Sequence, residues 1–537
     1  MRSPVRLLLS ALGVFLASGC AKRESIVARG NREGVLHMRV GSEPSELDPQ
    51  FVTGLGYARV DHSLFEPLVT YEPVTFAPKP ALAESWEISA DGLTYTFHLR
   101  ADAKWSNGEA VTAQDCVDSW HRILTPTLAA DYAYFLYLLR GAEAFNKGQT
   151  KDFSTVGAVA RDARTLVVTL THPAPYFLQV LLNSPWRPVN VHAIAQYGDP
   201  YQRGTPWTRA GRLVSSGPFV LKEWNAHQHI LVEKSPTYYD REHVRLNAIR
   251  FYPTDNIDAE ERAFRAGQLH ATWSLSLTKI PPLQRENSPA LRIDPYLSTY
   301  FFRFNVRKPP LDDVRVRRAL ALAIDRQTIA DKILPGGRKP ATTFVPPLLK
   351  DYTPPARTAY DLAAARQLLV DAGHAGGKGL PPIEILYNNS EILRPVSEAI
   401  QQMWRRDLGV DVRLVNQEFK VVFASRRAGD YQILLGSWTA DYLDATTFLA
   451  MWRKDSGNNH TGWSDPAYDA LCDRADQTVD PVARAALLAQ AEALVLDAAP
   501  IAPVYFDTNV YLLAPSVKDW SPTSGGHADY RYVWLQP

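Results

Sequence analysis

"ALAESWEISADGLTYTFHLRADAKWSNGEAVTAQD" runs from Ala81 to Asp115. Its middle, Leu93 to Arg100, alternates apolar and polar side chains, the period-2 pattern of a half-buried strand. The strand leaves an Asp91-Gly92 turn, and a second turn, Ser106-Asn107-Gly108, follows Trp105. Gly supplies the positive φ that tight hairpin turns require, so the stretch reads as part of a β-rich unit. At its end the period changes to that of a helix over Ala113–Leu124.

Working outward, "TLVVTL" (Thr165–Leu170) and "HILVEK" (His229–Lys234) are further short strands rich in β-branched residues. From about Pro381 strand and helix alternate: "IEILYN" (Ile383–Asn388), a helix over Val396–Leu408, then "VDVRLVN" (Val410–Asn416). Such alternation points to an α/β domain with a parallel or mixed sheet. Another helix is expected within Pro310–Leu334, started by an Asp cap. Its basic residues Arg315, Arg317 and Arg318 read as a solvated face. A chain of 537 residues exceeds the ~250 to 300 residues at which one core stops growing, so two or three domains are expected.

Charge excludes whole classes of partner. The 58 basic and 57 acidic residues leave a formal charge of +1, which gives no electrostatic footprint for nucleic acid or an anionic membrane. Aromatics make up 11% of the chain, with 13 Trp and 24 Tyr, and suit the walls of a binding cleft.

At the N-terminus, Arg2 and Arg6 precede an apolar run, Leu7 to Ala17, that ends in "LASGC" at Cys20. The run is shorter than the roughly 20 residues a membrane span needs, so it reads as a secretory signal. Small residues before a Cys give a lipoprotein signal over residues 1–19, with Cys20 the lipidated residue; ordinary signal cleavage is the alternative reading. Ala17 departs from the Leu, Val or Ile usual at that place. Residues 20–34 are charged and lack hydrophobic periodicity, as expected of a tether, with folded structure from Val35. Only Cys116 and Cys472 remain, so no disulfide framework is expected.

"GSWTADYLDATTFLAMW", Gly436 to Trp452, sets two carboxylates, Asp441 and Asp444, among aromatic and aliphatic residues. Desolvating an unpaired carboxylate costs several kcal/mol. The nearest basic residues in sequence, Arg453 and Lys454, lie beyond the stretch, so either a distant residue or a ligand supplies the cation. Asp444 directly precedes the helical run "ATTFLAMW" and reads as an N-cap.

Local catalytic patterns are nearly absent: there is no phosphate loop, paired-His helix, Cys-x-x-Cys or Gly-x-Ser-x-Gly elbow. "SLTK", Ser276 to Lys279, matches the Ser-x-x-Lys of acyl enzymes but lacks the companion triplets. No catalytic residue, metal site or cofactor is therefore expected, and a Ser-Lys acyl enzyme is the reading from another class.

Read in order, "SELDPQ", "LFEPLVTY", the Ala81–Asp115 stretch, "SSGPFVLKEW", "KPPLDDVRVRRALALAID" and "GSWTADYLDATTFL" resemble extracellular solute-binding protein family 5 of peptide ABC transporters. This is the family of the bacterial periplasmic oligopeptide-binding proteins. The resemblance runs from about Val35 to the end. It implies a periplasmic-binding-protein-like type II α/β fold with two lobes, a hinge of two chain crossings and an extra β-rich domain. The first lobe would take 35–65, 191–297 and 508–537, the extra domain 66–190, and the second lobe 298–507.

It also implies a receptor outside the cytoplasm, lipid-anchored, monomeric and not an enzyme, that delivers short peptides to a membrane permease. Murein peptide, dipeptide, a nickel chelate or a sugar are alternative ligands of the same fold. In similar receptors the acid matching Asp441 pairs with the peptide's α-ammonium; an internal ion pair or a turn cap is the alternative. Gly436, Ser437 and Thr439 would pair with the peptide backbone around Trp438, and Thr53 to Leu55 would embrace it from the other lobe. Trp438 and Tyr132 would line side-chain pockets, unless they are ordinary core residues, and Ser274 matches a further ligand-contacting position. For the peptide carboxylate the matching basic residues are Arg394, Arg426 and Arg427, while two other basic positions have become Leu334 and Leu435.

Overall fold

The computed structural model describes residues 24–52, 55–72, 77–254, 256–521 and 529–537. Among them, three sheets carry the layout. Strands Val35–Gly41, Ala248–Pro253, His229–Lys234 and Phe219–Asn225 form a four-stranded sheet in that order, the first pair parallel and the rest antiparallel. Strands Ala83–Ile88, Thr94–Leu99, Thr165–Thr169 and Ala158–Ala160 form a second, wholly antiparallel sheet. The third has six strands in the order Lys339–Pro340, Ile501–Leu512, Leu291–Phe304, Ile433–Thr439, Ile383–Asn388, Val412–Gln417.

The opening stretch folds as its pattern demands. In Thr94–Leu99 the apolar Tyr95, Phe97 and Leu99 are buried and the residues between them are half-buried. Helix Ala113–Leu124 starts where Thr112 and Asp115 cap one another: Thr112 Oγ1 accepts from the Asp115 amide at 3.3 Å, and Asp115 Oδ2 accepts from the Thr112 amide at 2.7 Å. Together they bury Trp105, Trp120 and Trp186, the last two edge to face at 5.3 Å. Each such side chain contributes on the order of 1.5 to 3 kcal/mol by leaving water.

Two long antiparallel strands, Leu291–Phe304 and Ile501–Leu512, run from the edge of the first sheet into the third. Their register breaks between Pro295 and Thr299, where the ladder pauses before resuming at Thr299 with Phe506. Proline donates no amide to a ladder, so a paired ribbon is weakest there.

Two expectations are corrected. The segment ahead of Val35 is not a structureless tether throughout, because residues 26–33 form a helix, Ile26–Glu33. Ser25 caps it by accepting from the Ala28 amide at 3.0 Å, and Gly34 ends it at φ 68°. The helix is fastened by polar contacts, Val27 N to Gly267 O at 2.9 Å and His270 Nε2 to Asn31 Oδ1 at 3.0 Å. Hydrophobic periodicity does not register such contacts. Second, Arg317 does not share the solvated face of Arg315 and Arg318. It is buried and donates to the carbonyls of Leu311, Asp312, Ala498 and Ala499, tying helix Val314–Leu322 to the C-terminus of helix Pro481–Ala498.

Candidate functional site

Strand Ile433–Thr439 is central in its sheet but only half paired. Along one edge it matches Ser298–Phe304 residue for residue, Thr439 opposite Ser298 and Ile433 opposite Phe304. Along the other, only Ile433 and Leu434 pair, with Ile385 and Leu386. From Gly436 to Thr439 that second edge has no strand beside it among the described residues. Every second amide and carbonyl there points away from the existing ladder. All four residues keep partial exposure.

The strand ends in a turn that carries both acids. Trp438 packs on the core around Phe301 and Trp452 and donates from Nε1 to the Thr447 carbonyl at 2.8 Å. The Asp441 amide donates to Thr447 Oγ1 at 3.0 Å, and its carbonyl accepts from Asn183 Nδ2 at 3.0 Å. Tyr442 stacks on Tyr176 with centroids 4.9 Å apart and planes at 10°. Asn183 and Tyr176 belong to the segment whose core contains the Ala81–Asp115 stretch, so that unit is fixed against the turn.

The two carboxylates meet opposite fates. Asp444 accepts a bidentate pair from Arg484, Nη1 to Oδ2 at 2.8 Å and Nη2 to Oδ1 at 2.9 Å. It also accepts from the Thr446 amide at 2.9 Å and from Thr446 Oγ1 at 2.6 Å, at the start of helix Thr446–Leu449. Burial alone raises its carboxyl, but Arg484, with the Thr446 hydrogen bonds, more than offsets this and holds it below the ordinary value. Asp444 is therefore not the N-cap expected of it, since Ala445 holds that position, and its main partner is an arginine 40 residues on. Arg453, nearer in sequence, serves Asp473 and Asp476 instead.

Asp441 has no such partner. Its carboxylate makes no ion pair or hydrogen bond among the described residues, and burial, acting alone, pushes it up to about 7. Tyr132 and Tyr134 stand close enough to feel its charge. Burial first, then Asp441, raises the Tyr132 hydroxyl to about 12, and the same two causes raise Tyr134. The two rings meet edge to face at 5.8 Å. Sequence reading missed Tyr134, Tyr176, Asn183 and Arg484. None is near Asp441 in the chain, and only the packing of two units brings them together.

The other expected positions scatter. Ser274 is half-buried beside Trp273, whose ring lies 3.7 Å under the Arg59 guanidinium. Arg394 is exposed on helix Leu393–Leu408 and pairs with Glu398 at 2.9 Å, one turn on. Arg426 and Arg427 lie on helix Phe419–Ala428, their guanidinium groups 4.2 and 4.6 Å from the Phe423 ring. Leu334 and Leu435 are buried in the core of the six-stranded sheet. Ser276 donates its hydroxyl to Glu391 Oε2 at 2.9 Å, while the Lys279 backbone amide donates to the Ser276 carbonyl at 3.0 Å. Thr53, the side chain of Leu55 and Cys20 lie outside the described residues.

The profile of the "Bacterial extracellular solute-binding proteins, family 5 Middle" matches residues 77–460. The chain belongs to this family. Among its relatives, the "Probable deoxycholate-binding periplasmic protein YgiS" of Escherichia coli is 37% identical over 89% of this chain and 88% of its own length. The "Periplasmic oligopeptide-binding protein OppA" of the same organism is 34% identical over 90% and 88%. The solved structure of the Escherichia coli murein tripeptide binding protein MppA superposes with a TM-score of 0.82 at 32% identity, covering 93% of this chain and 98% of that one. The α/β, multidomain fold expected from the sequence is therefore the fold of these substrate-binding proteins.

Proposed function

We propose that this protein is an extracytoplasmic receptor that encloses a short peptide and hands it to an ABC-transporter permease. One observation carries the reading: Asp441 is a half-buried carboxylate with no cation among the described residues, placed at the end of a strand whose edge is open from Gly436 to Thr439. A peptide laid along that edge pairs its main chain with the strand and brings its α-ammonium to the acid. Main-chain bonds are blind to side-chain identity, so such a receptor tolerates many sequences. Trp438 and Tyr132 shape the pockets for the side chains, and Thr53, Leu55 and Ser274 face the ligand from the opposite lobe. Relatives named for oligopeptides and murein peptide support the assignment.

In this reading 35–65, 191–297 and 508–537 form one lobe, 66–190 the added unit and 298–507 the other lobe. The ribbon break at Pro295–Thr299 serves as part of the hinge. Cys20 carries the lipid that holds the receptor at the membrane. The chain acts as a monomer and does no chemistry on its ligand.

A second reading has its own support. A carboxyl raised to about 7 is readily protonated, and one relative is named for deoxycholate, a ligand with no ammonium to offer. Calorimetry of the mature protein decides between them. The peptide reading expects comparable affinities for several unrelated tripeptides. Binding of deoxycholate with none of the peptides would select the second.

A further inference from the structure

The main chain that carries Asp441 is held from outside its own sheet. Asn183 Nδ2 donates to the Asp441 carbonyl at 3.0 Å and to the Val180 carbonyl at 3.2 Å. A side-chain amide has two N–H donors, so both are spent, and the end of helix Phe177–Val180 sets the orientation of the group. One residue on, the Tyr442 ring lies flat on Tyr176 with centroids 4.9 Å apart. Tyr176 is 7% exposed and belongs to the core around Phe177 and Trp186, whereas Tyr442 is half-buried and packs on that core from outside. Two residues further, Asp444 reaches the same ring through its partner: the Arg484 guanidinium lies 5.3 Å from the Tyr176 ring. Three residues of one turn are thus tied to Asn183 and Tyr176.

The segment that supplies those two residues is joined to the chain on its other side by buried polar groups. Arg122 donates to Asp48 Oδ2 at 2.7 Å, Gln50 Nε2 donates to the Ser119 carbonyl at 2.7 Å, and the Arg187 guanidinium lies 3.8 Å from Asp61. All of these side chains are buried. Parting such a pair leaves a charge buried and alone. A ring stack and one neutral hydrogen bond are each worth only roughly 2- to 10-fold in an equilibrium constant. Motion about the Pro295–Thr299 break therefore separates the turn from Asn183 and Tyr176 before it separates Arg122 from Asp48.

The Asp441 side chain is placed by its backbone. Its amide is bound within its own lobe by Thr447 Oγ1 and its carbonyl by Asn183, while its carboxylate has no hydrogen bond among the described residues. We propose that Asn183 and Tyr176 are positioning residues for Asp441: seating the added unit on the turn brings the acid to the ligand's ammonium, and by linkage the ammonium holds the unit seated. Selectivity for a free amino terminus then belongs to the seated pair of units and not to the lobe that carries the acid. This rests on the peptide reading above.

The test is calorimetry of the mature protein with tri-alanine and N-acetyl-tri-alanine, by displacement titration where binding is weak. Wild type should prefer the free amine. Asn183→Ala should weaken tri-alanine about 2- to 10-fold, the worth of one neutral hydrogen bond, and leave N-acetyl-tri-alanine unchanged. Tyr442→Leu should do the same, and Tyr442→Phe, which keeps the stack, should retain the selectivity of wild type. In an Asp441→Asn background Asn183→Ala should cost nothing further, because a residue that acts through the acid has nothing left to act on. An equal loss for both ligands, a loss that persists beside Asp441→Asn, or an Asn183→Ala protein that binds as wild type does overturns the positioning role and leaves the peptide reading standing. A wild type that binds neither ligand, or both alike, overturns the peptide reading itself.

Discussion

Replacing Asp441 by Asn keeps the shape of the turn and removes one charge. Its amide and carbonyl stay bound to Thr447 and Asn183, since both contacts are main-chain. What is lost is the proposed counter-ion for the ligand's ammonium, in a position desolvated enough to lift the carboxyl to about 7. Breaking one side of a desolvated charge pair costs on the order of 2 to 5 kcal/mol, roughly 30- to 5000-fold in affinity.

The pH dependence sharpens the expectation. In the empty receptor the carboxyl sits at about 7, against an ordinary value of 3.8. Below 7 the acid must shed a proton before it can pair, so affinity should fall about tenfold per pH unit as pH drops from 7 toward 5. Wild type and Asp441→Asn should therefore converge at low pH and diverge above 7. For stability the sign is opposite: a raised carboxyl contributes stability below its ordinary value, and that contribution is lost as pH rises through 7. At pH 8 the empty Asn variant should consequently melt no lower than wild type. The assay is calorimetry with one tripeptide at pH 5, 6, 7 and 8, with melting curves of the empty proteins alongside. An Asn variant that binds as tightly as wild type at pH 8, or a wild type whose affinity is flat between pH 5 and 7, refutes the reasoning.

Arg484→Met should behave in the reverse manner, destabilising the empty protein by about 3 to 5 kcal/mol in urea unfolding because Asp444 is left buried and unpaired. The double variant with Asp444→Leu should recover most of that loss. Cys20→Ser should release the protein from membranes of the native host into the soluble envelope fraction; retention on the membrane would reject the anchor.

Much of the fold was legible because its signals are local. The alternation in Thr94–Leu99, the capping pair Thr112 and Asp115, and strand Ile383–Asn388 are each encoded within a few residues. The site was legible only where a local motif carries it, as in Trp438 through Asp441. Arg484 and Asn183 lie 40 and 258 residues from the acids they serve or hold, and no periodicity connects them. A buried arginine can leave a trace, as Arg303 does, a lone charge among Phe301, Phe302 and Phe304. Such an interruption marks a charge within a core strand, but spacing alone does not say which charge is matched within the protein.

That distinction explains why two acids three residues apart are treated so differently. A receptor that holds a carboxylate ready for a ligand must stop the turn from collapsing around it, and it must deny the acid any cation of its own. Asp444 meets the first demand: its bidentate pair with Arg484 and its bonds to Thr446 pin the far side of the turn. Thr447 meets the same demand from within, receiving the Trp438 indole on its carbonyl and the Asp441 amide on its hydroxyl. With the backbone fixed from both sides, the Asp441 carboxylate keeps its place without a cation among the described residues, and on the proposed reading the ligand's ammonium relieves its desolvation. On that reading the contact with the ligand ammonium is gained without loss of a competing pair, which is how preorganisation converts one carboxylate into binding energy.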